Sequence, residues 1–295
     1  METTKQLNVY KTRSFAKINL GIEVLRKRQD GHHEIRTLFQ TIDFYDRLEF
    51  LPLKGKSIQL EGDDPRIPWN KDNLIYKAAS VLQETSGISA GVEIRVRKRI
   101  PPGKGLGGGS SNAAVTLYVL NQIWGLSMEK KQLQEIGGRL GADIPFFLEG
   151  GTCLGLGKGD KIIPLPDLEK FHCLLVLPDF PVPTADVYKR IVLTLQEKES
   201  KIIEFLNSHE FRLLENNLEE TVFSLYPQLK SIKNHISERD SILTLVSGTG
   251  SAVYGLFPEK DKAEHALGGL DNNLSSLLVE TLSRDRYWCG VMNGA

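Results

Sequence analysis

Residues 101–114 read Pro-Pro-Gly-Lys-Gly-Leu-Gly-Gly-Gly-Ser-Ser-Asn-Ala-Ala, and five of the first nine are glycine. Glycine takes positive φ without steric cost and lets a backbone come close to a ligand. Successive amides in such a run turn inward around an anion. The segment that follows, Ser111 to Trp124, has no Gly or Pro and spaces Ala113, Ala114, Leu117, Leu120 and Trp124 as one face of a helix. The loop is therefore expected to feed a helix N-terminus, where unpaired amides and the dipole favour negative charge. Phosphate is the ligand this pattern predicts.

Working outward, residues 91–99 alternate, with Val92, Ile94 and Val96 inward and Glu93, Arg95 and Arg97 outward. That spacing predicts a strand running into the loop. Residues 14–25 alternate as well. Ala16, Ile18, Leu20, Ile22 and Val24 are expected to pack, while Phe15, Lys17, Asn19, Gly21 and Glu23 face the other way. Lys17 and Asn19 thus share a face. Asp30-Gly31 marks a turn before strands near 33–40 and 42–51, and a helix is expected over 72–86 with Asp72 as its cap. Beyond the loop helix, Ser127 is placed to cap a helix ending at Leu140, and Pro145 predicts an extended exit through Gly141 to Ile144.

In the second half the pattern predicts a strand at 171–177 and a proline-stiffened loop. Helices follow at 185–196, 199–206, 210–236 and 259–269. Leu243 to Phe257 reads as two strands about a tight Gly248-Thr249-Gly250 turn, and 287–292 as a last strand.

Lysines and arginines total 37 and so do the acids, so no global attraction to nucleic acid or anionic membrane is implied. Any pull on an anionic ligand is local. Three cysteines, Cys153, Cys173 and Cys289, lack the spacing of a disulfide framework or zinc site, and a reducing compartment is expected. The polar first residues lack a signal-peptide core, and no apolar run approaches the roughly 20 residues of a membrane span. The expected location is the cytoplasm.

Three kinds of phosphate loop fit a glycine run. A P-loop needs Gly-x-x-x-x-Gly-Lys followed by Ser or Thr, whereas Lys104 lies inside this loop. Gly103, Gly105 and Gly108 satisfy the dinucleotide pattern, but the acid that should close a second strand about 20 residues on is missing. A turn that binds nothing has no use for so much destabilising glycine.

The third kind is a resemblance. Pro101 to Ala114, Ser14-Phe15-Ala16-Lys17-Ile18-Asn19-Leu20 and Val246-Ser247-Gly248-Thr249-Gly250-Ser251 resemble, in order and spacing, the motifs of the GHMP kinase superfamily. Asp30-Gly31-His32-His33-Glu34, Thr37-Leu38-Phe39-Gln40, Gly141 to Phe147 and Pro183-Thr184 narrow the resemblance. They point to a branch acting on a methylerythritol alcohol carried by cytidine diphosphate. The resemblance implies an α+β, two-domain GHMP-kinase-like fold. Its N-terminal domain would resemble a ribosomal-protein domain, with a ferredoxin-like α/β domain after it. Residues 1–157 are expected to bind ATP and residues 158–295 the substrate, with the site in the cleft between them.

The same resemblance implies roles. Pro101, Pro102, Gly103, Lys104, Gly105, Leu106, Gly107, Gly108, Gly109, Ser110 and Ser111 are expected to cradle the ATP phosphates, with Asn73, Leu74 and Lys98 beside the adenine. Lys17 and Asp143 match the catalytic pair. Asp143 is expected to orient the acceptor hydroxyl and take its proton, and Lys17 to stabilise charge. Asn19, His32, His33, Thr184, Tyr188, Gly248, Thr249 and Gly250 are expected on the acceptor side. His32 stands where the family has a tyrosine that stacks on cytosine, and His33 matches the histidine that reads the base edge. Adjacent strand residues point apart, so the His pair is not expected to share a metal. No carboxylate cage is found, and magnesium is expected to arrive with ATP.

The reaction so implied is ATP-dependent phosphorylation of the 2-hydroxyl of the methylerythritol unit. The protein would be a monomer or weak homodimer with no nucleic-acid or membrane partner. Other acceptors of the superfamily, homoserine or mevalonate, and a non-catalytic nucleotide- or RNA-binding protein are the rival expectations.

Overall fold

The computed structural model describes residues 9–191, 199–271 and 273–293. Two sheets stack between two layers of helices. The first sheet is built on a long antiparallel pair, β1 (Tyr10–Lys27) and β2 (His33–Leu53), joined by the Asp30-Gly31 turn. The two strands expected over 33–51 are one, because β2 continues its pairing with β1 from His33 to Phe50. Register shifts at Phe15/Ala16, Asn19/Gly21 and Val24/Arg26 absorb the twist. β3 (Ile58–Gly62), β4 (Gly91–Arg97), β5 (Thr152–Leu156) and β6 (Lys161–Pro164) complete the sheet in the order β3-β4-β2-β5-β6, with β1 on β2.

One face of this sheet is covered by α1 (Leu74–Ser86), α2 (Gly108–Ile123), α3 (Lys130–Leu140) and the short α4 (Ile144–Phe147). The cap of α1 is Asn73 and not Asp72: its Oδ1 accepts the Ile75 amide at 2.9 Å. α2 is buried nearly all round, from Ser111 to Asn121, so the glycine loop opens into the middle of the protein. The α3 cap is Glu129, whose capping box with Gln132 satisfies two orphan amides where the single hydroxyl of Ser127 would serve one. The extended exit expected before Pro145 is α4 instead. Proline fits a first helical turn because the amide it lacks has no partner there.

The second sheet holds β7 (His172–Leu177), β8 (Leu243–Val246), β9 (Val253–Phe257) and β10 (Ser275–Glu280), all antiparallel, in the order β10-β7-β9-β8. Counted within this unit the order is 4-1-3-2, the ferredoxin-like arrangement. Its outer face packs on α7 (Glu219–Leu225), α8 (Pro227–Ser237) and α9 (Lys260–Gly268). α5 (Thr184–Arg190) and α6 (Lys201–Ser208) lie between β7 and α7 in the chain. Of the helix expected over 185–196, residues 192–196 lie outside the described residues. The single helix expected over 210–236 is a 3-10 turn at Phe211–Leu213 followed by α7 and α8, because Pro227 can open a helix but not continue one. The last expected strand is α10 (Arg284–Met292). Ser283 caps it, and Tyr287 and Val291, four apart, bury together.

β1 buries both faces, which its alternation did not predict. Ala16, Ile18 and Leu20 pack with Cys173, Leu175, Leu245 and Tyr254 of the second sheet. Phe15 packs into the helical layer on the opposite face. A strand between two layers leaves no face for solvent. Lys17 and Asn19, on the Phe15 side, are therefore buried too, at 4% and 3% exposure. The division expected at residue 157 falls in the β5–β6 hairpin, whose second strand stays in the first sheet to Pro164, and α10 returns to pack on β1 through Gly290 and Phe15.

Candidate active site

The glycine loop is shaped by alternate left-handed residues: Gly103, Gly105 and Gly107 have φ of 71°, 76° and 70°. All three are also squeezed: a Cβ on Gly103 would lie 2.9 Å from Pro181 Cβ. A Cβ on Gly105 would lie 1.9 Å from the Ser247 carbonyl oxygen, and one on Gly107 would lie 2.7 Å from the Phe147 ring. Gly107 is the N-cap of α2 and carries no side-chain cap. The first-turn amides of a deeply buried helix thus start at bare glycine.

Two cavities meet at this point. One, of about 420 Å³, is lined by the loop from Pro101 to Ser110 together with Asn73, Leu74, Lys98 and Trp69. The other, of about 750 Å³, is lined by Lys17, Asn19, His32, His33, Asp143, Thr184, Tyr188, Gly248 and Thr249. Gly105 and Gly107 line both. A group bound along the loop on one side faces the lysine and the carboxylate on the other.

The Lys17 ammonium donates to Asn19 Oδ1 at 2.6 Å and stands 3.7 Å from Asp143 Oδ2. Asn19 in turn donates to Thr37 Oγ1 at 2.8 Å, and Thr37 donates to the Gly21 carbonyl at 2.8 Å. This chain fixes which end of the Asn19 amide faces the lysine. The Lys17 amide donates to the Leu106 carbonyl at 3.0 Å, which ties β1 to the glycine loop. Burial lowers the Lys17 pKa, and the Asp143 charge opposes that shift. Asp143 is about one-third exposed and sits in helical conformation just before α4, so its carboxylate opens to the cavity.

At the far end of the larger cavity His33 stacks on Tyr188, ring centroids 5.1 Å apart. Burial lowers the His33 pKa, helped by the Lys27 and His32 charges, so the ring favours its neutral form. Burial, with the Asp143 charge, pushes the Tyr188 phenol up to about 12. His32 is mostly exposed, its Nδ1 3.5 Å from Asp30. Thr184 and Thr249 share a hydroxyl contact at 3.0 Å, joining the start of α5 to the glycine turn. Gly250 does not line the cavity; its amide closes that turn on the Ser247 carbonyl at 2.9 Å.

Three of the side chains expected on the phosphates or the base hold protein partners. Ser111 is buried against Ser14, Oγ to Oγ 2.7 Å, which leaves Ser110 as the loop hydroxyl lining the donor cavity. Lys98 is ion-paired with Asp46 and donates to Asn112 Oδ1 at 3.0 Å. The Lys104 ammonium is buried among backbone carbonyls. A charge inside a glycine loop reads as a phosphate ligand when tertiary partners are unknown.

Asp46, in the middle of β2, has no sequence motif to mark it, yet it organises the entry to the loop. It is fully buried and accepts the Arg99 and Ile100 amides at 2.7 and 2.9 Å and Asn112 Nδ2 at 2.9 Å, besides pairing with Lys98. A carboxylate on the apolar face of the alternation Ile42, Phe44, Leu48 and Phe50 was the available signal. Asp46→Ala leaves the Lys98 charge without its counter-ion, Asn112 Oδ1 remaining, and the Arg99 and Ile100 amides without this acceptor. It should lower unfolding free energy by about 3–5 kcal/mol, read by urea denaturation.

Residues 73–151 match the family model of the GHMP kinases N terminal domain, and residues 200–275 that of the GHMP kinases C terminal. The chain belongs to the GHMP kinase family. A 4-diphosphocytidyl-2-C-methyl-D-erythritol kinase of Thermodesulfovibrio yellowstonii is 39% identical over 291 residues, covering 95% of this chain and 96% of that one. A kinase of the same name from Syntrophus aciditrophicus is 39% identical over 254 residues, covering 85% and 91%. Among solved structures, a crystal structure of 4-(cytidine 5'-diphospho)-2C-methyl-D-erythritol kinase matches with a TM-score of 0.79 at 33% identity, covering 92% of this chain and 98% of that one. Homoserine kinase from Cytophaga hutchinsonii, with a TM-score of 0.73 at 19% identity over 96% and 97% of the two chains, shares the fold.

Proposed function

We propose that this ATP-dependent kinase transfers the γ-phosphoryl group of ATP to the 2-hydroxyl of 4-diphosphocytidyl-2-C-methyl-D-erythritol, giving the 2-phosphate and ADP. The observation that carries the reading is the meeting of a donor cavity lined by the glycine loop and a larger acceptor cavity at Gly105 and Gly107, beside Lys17 and Asp143. ATP lies along the glycine loop, its phosphates on the amides that precede α2. Magnesium comes with ATP as part of the substrate, and Ser110 supplies the loop hydroxyl at hand for it. Among the described residues no cluster of three His, Cys, Asp or Glu side chains is placed to hold a metal by itself.

The acceptor lies in the larger cavity with its base end toward His33 and Tyr188. His33, favouring its neutral form, offers both a donor and an acceptor nitrogen to a base edge. Asp143 orients the hydroxyl and receives its proton as the O–P bond to the acceptor forms and the bond to ADP breaks. In a loose transition state that transfer comes late, so a strong base is not needed. Lys17 neutralises charge on the moving phosphoryl group. Among the described residues no helix is long and apolar enough to cross a membrane, and the reading places the enzyme in the cytoplasm, acting on a small molecule as a monomer or weak homodimer.

Comparing ADP release with the cytidylated alcohol, free methylerythritol, homoserine and mevalonate tests the assignment. Turnover confined to the cytidylated compound is expected; equal turnover with homoserine or mevalonate would reject it. A pH dependence follows as well. Burial lowers the Lys17 pKa, so its charge is lost as pH rises through a value below the ordinary 10.5. The rate constant kcat should fall on that alkaline limb, and the limb should vanish in Lys17→Arg, whose guanidinium keeps its charge throughout the range.

A further inference from the structure

Lys104 lies within the glycine loop, and its ammonium is held by the segment that follows β7. It is 6% exposed. Its ammonium donates to the carbonyls of Pro178 and Phe180, the latter at 2.6 Å, and lies 5.9 Å from the Phe180 ring centre. Those residues belong to the loop 178–183 that leads into α5, the helix carrying Thr184 and Tyr188. Other contacts converge on the same seam. The Val182 amide donates to the Gly103 carbonyl at 3.3 Å, and the Ala252 amide donates to the Lys104 carbonyl at 3.2 Å. Ser251 Oγ donates to the Phe180 carbonyl at 2.5 Å, and Ser247 Oγ donates to the Gly105 carbonyl at 2.9 Å.

Three segments therefore share one joint: the phosphate loop, the strap before α5, and the glycine turn 247–252. Lys104 is the only charged side chain among these contacts. A charge buried with carbonyl partners alone is costly. Desolvation lowers the Lys104 pKa, with the Asp179 charge acting against it. Filling the same space with an apolar side chain would avoid that cost but would leave the Pro178 carbonyl without its lysine donor and the Phe180 carbonyl with Ser251 Oγ alone.

We propose that Lys104 is a positioning residue that fastens the ATP-bearing loop to the acceptor-bearing strap, so that the two substrates are held in register for transfer. The inference rests on the kinase reading above. Phosphoryl transfer depends on alignment of donor and acceptor, and a misplacement of about 1 Å can cost about 100-fold in rate. Lys104 acts through the strap and does not touch the phosphates.

The test combines kinetics with amide hydrogen exchange. In Lys104→Met, kcat should fall about 10- to 100-fold. KM for ATP should stay within about threefold of the parent, because the loop amides remain. Exchange across residues 179–184 should quicken, while that of α2 stays unchanged. Lys104→Cys alkylated to the S-aminoethyl form, which restores an ammonium at the same reach, should recover most of kcat, and the carbamidomethylated form should not; equally treated parent protein controls for Cys289. If Lys104→Met does not fold, Lys104→Gln takes its place in every arm.

Parent-like kcat with parent-like exchange in the strap would overturn the proposal. So would a raised KM for ATP with unchanged kcat, the mark of a direct phosphate ligand. If the parent enzyme fails to turn over the cytidylated alcohol, the functional reading falls, and the exchange arm, which needs no acceptor, still judges the role of Lys104.

Discussion

Asp143→Asn should lower turnover by about 100- to 10,000-fold, the usual contribution of a positioned general base, while leaving ATP binding near that of the parent. The carboxylate stands 3.7 Å from the Lys17 ammonium at the rim of the acceptor cavity, and it does not line the donor cavity. Asparagine keeps the shape and one acceptor oxygen but cannot take the proton. The loss should appear in kcat. ATP affinity, read by titration of a fluorescent nucleotide analogue, should move little. Near-parental turnover would remove Asp143 from the chemistry.

Gly105→Ala should be nearly as damaging, for a steric reason. The added methyl carbon would sit 1.9 Å from the Ser247 carbonyl oxygen on a residue whose φ is 76°. The left-handed conformation alone costs an alanine about 1–2 kcal/mol. Relief of the overlap requires the loop and the Ser247 turn to part, which widens the point where the cavities meet. Both KM for ATP and kcat should deteriorate together, with a lowered Tm. Gly109→Ala is the contrast. That residue is in the first turn of α2, its nearest neighbour would be 3.9 Å away, and alanine suits a helix better by about 1 kcal/mol. Its Tm should hold or rise.

What the amino-acid order disclosed was mostly local. The glycine loop was legible because positive φ and close approach leave glycine no substitute, and α2 because its apolar spacing is uninterrupted. Lys17 and Asn19 were legible as neighbours from strand alternation, and the turn at Gly248 from its glycines. Their burial was not legible, since it depends on the glycine loop, the helical layer and the Gly248 turn closing over that face of β1 from sequence far downstream. The same is true of Lys98 and Lys104. Each is a lysine near a phosphate loop by sequence, and each is captured by oxygens that only folding brings near, from Asp46 and from the strap at Pro178 and Phe180. Short segments were read poorly where several cues compete. Residues 287–292 carry both strand-forming and helix-forming types, and the Ser283 cap decides for the helix. The stacking of His33 on Tyr188 was not legible either, because it joins two rings far apart in the chain and is separate from the cytosine-stacking role expected of His32.

The most direct measurement is a crystal structure with a non-hydrolysable ATP analogue and the cytidylated alcohol. The terminal phosphate should lie at the Gly105–Gly107 backbone, facing Lys17, with the acceptor hydroxyl beside Asp143. A triphosphate bound outside the glycine-loop cavity, or a Lys17–Asp143 pair moved further apart than one water can bridge, would contradict the account.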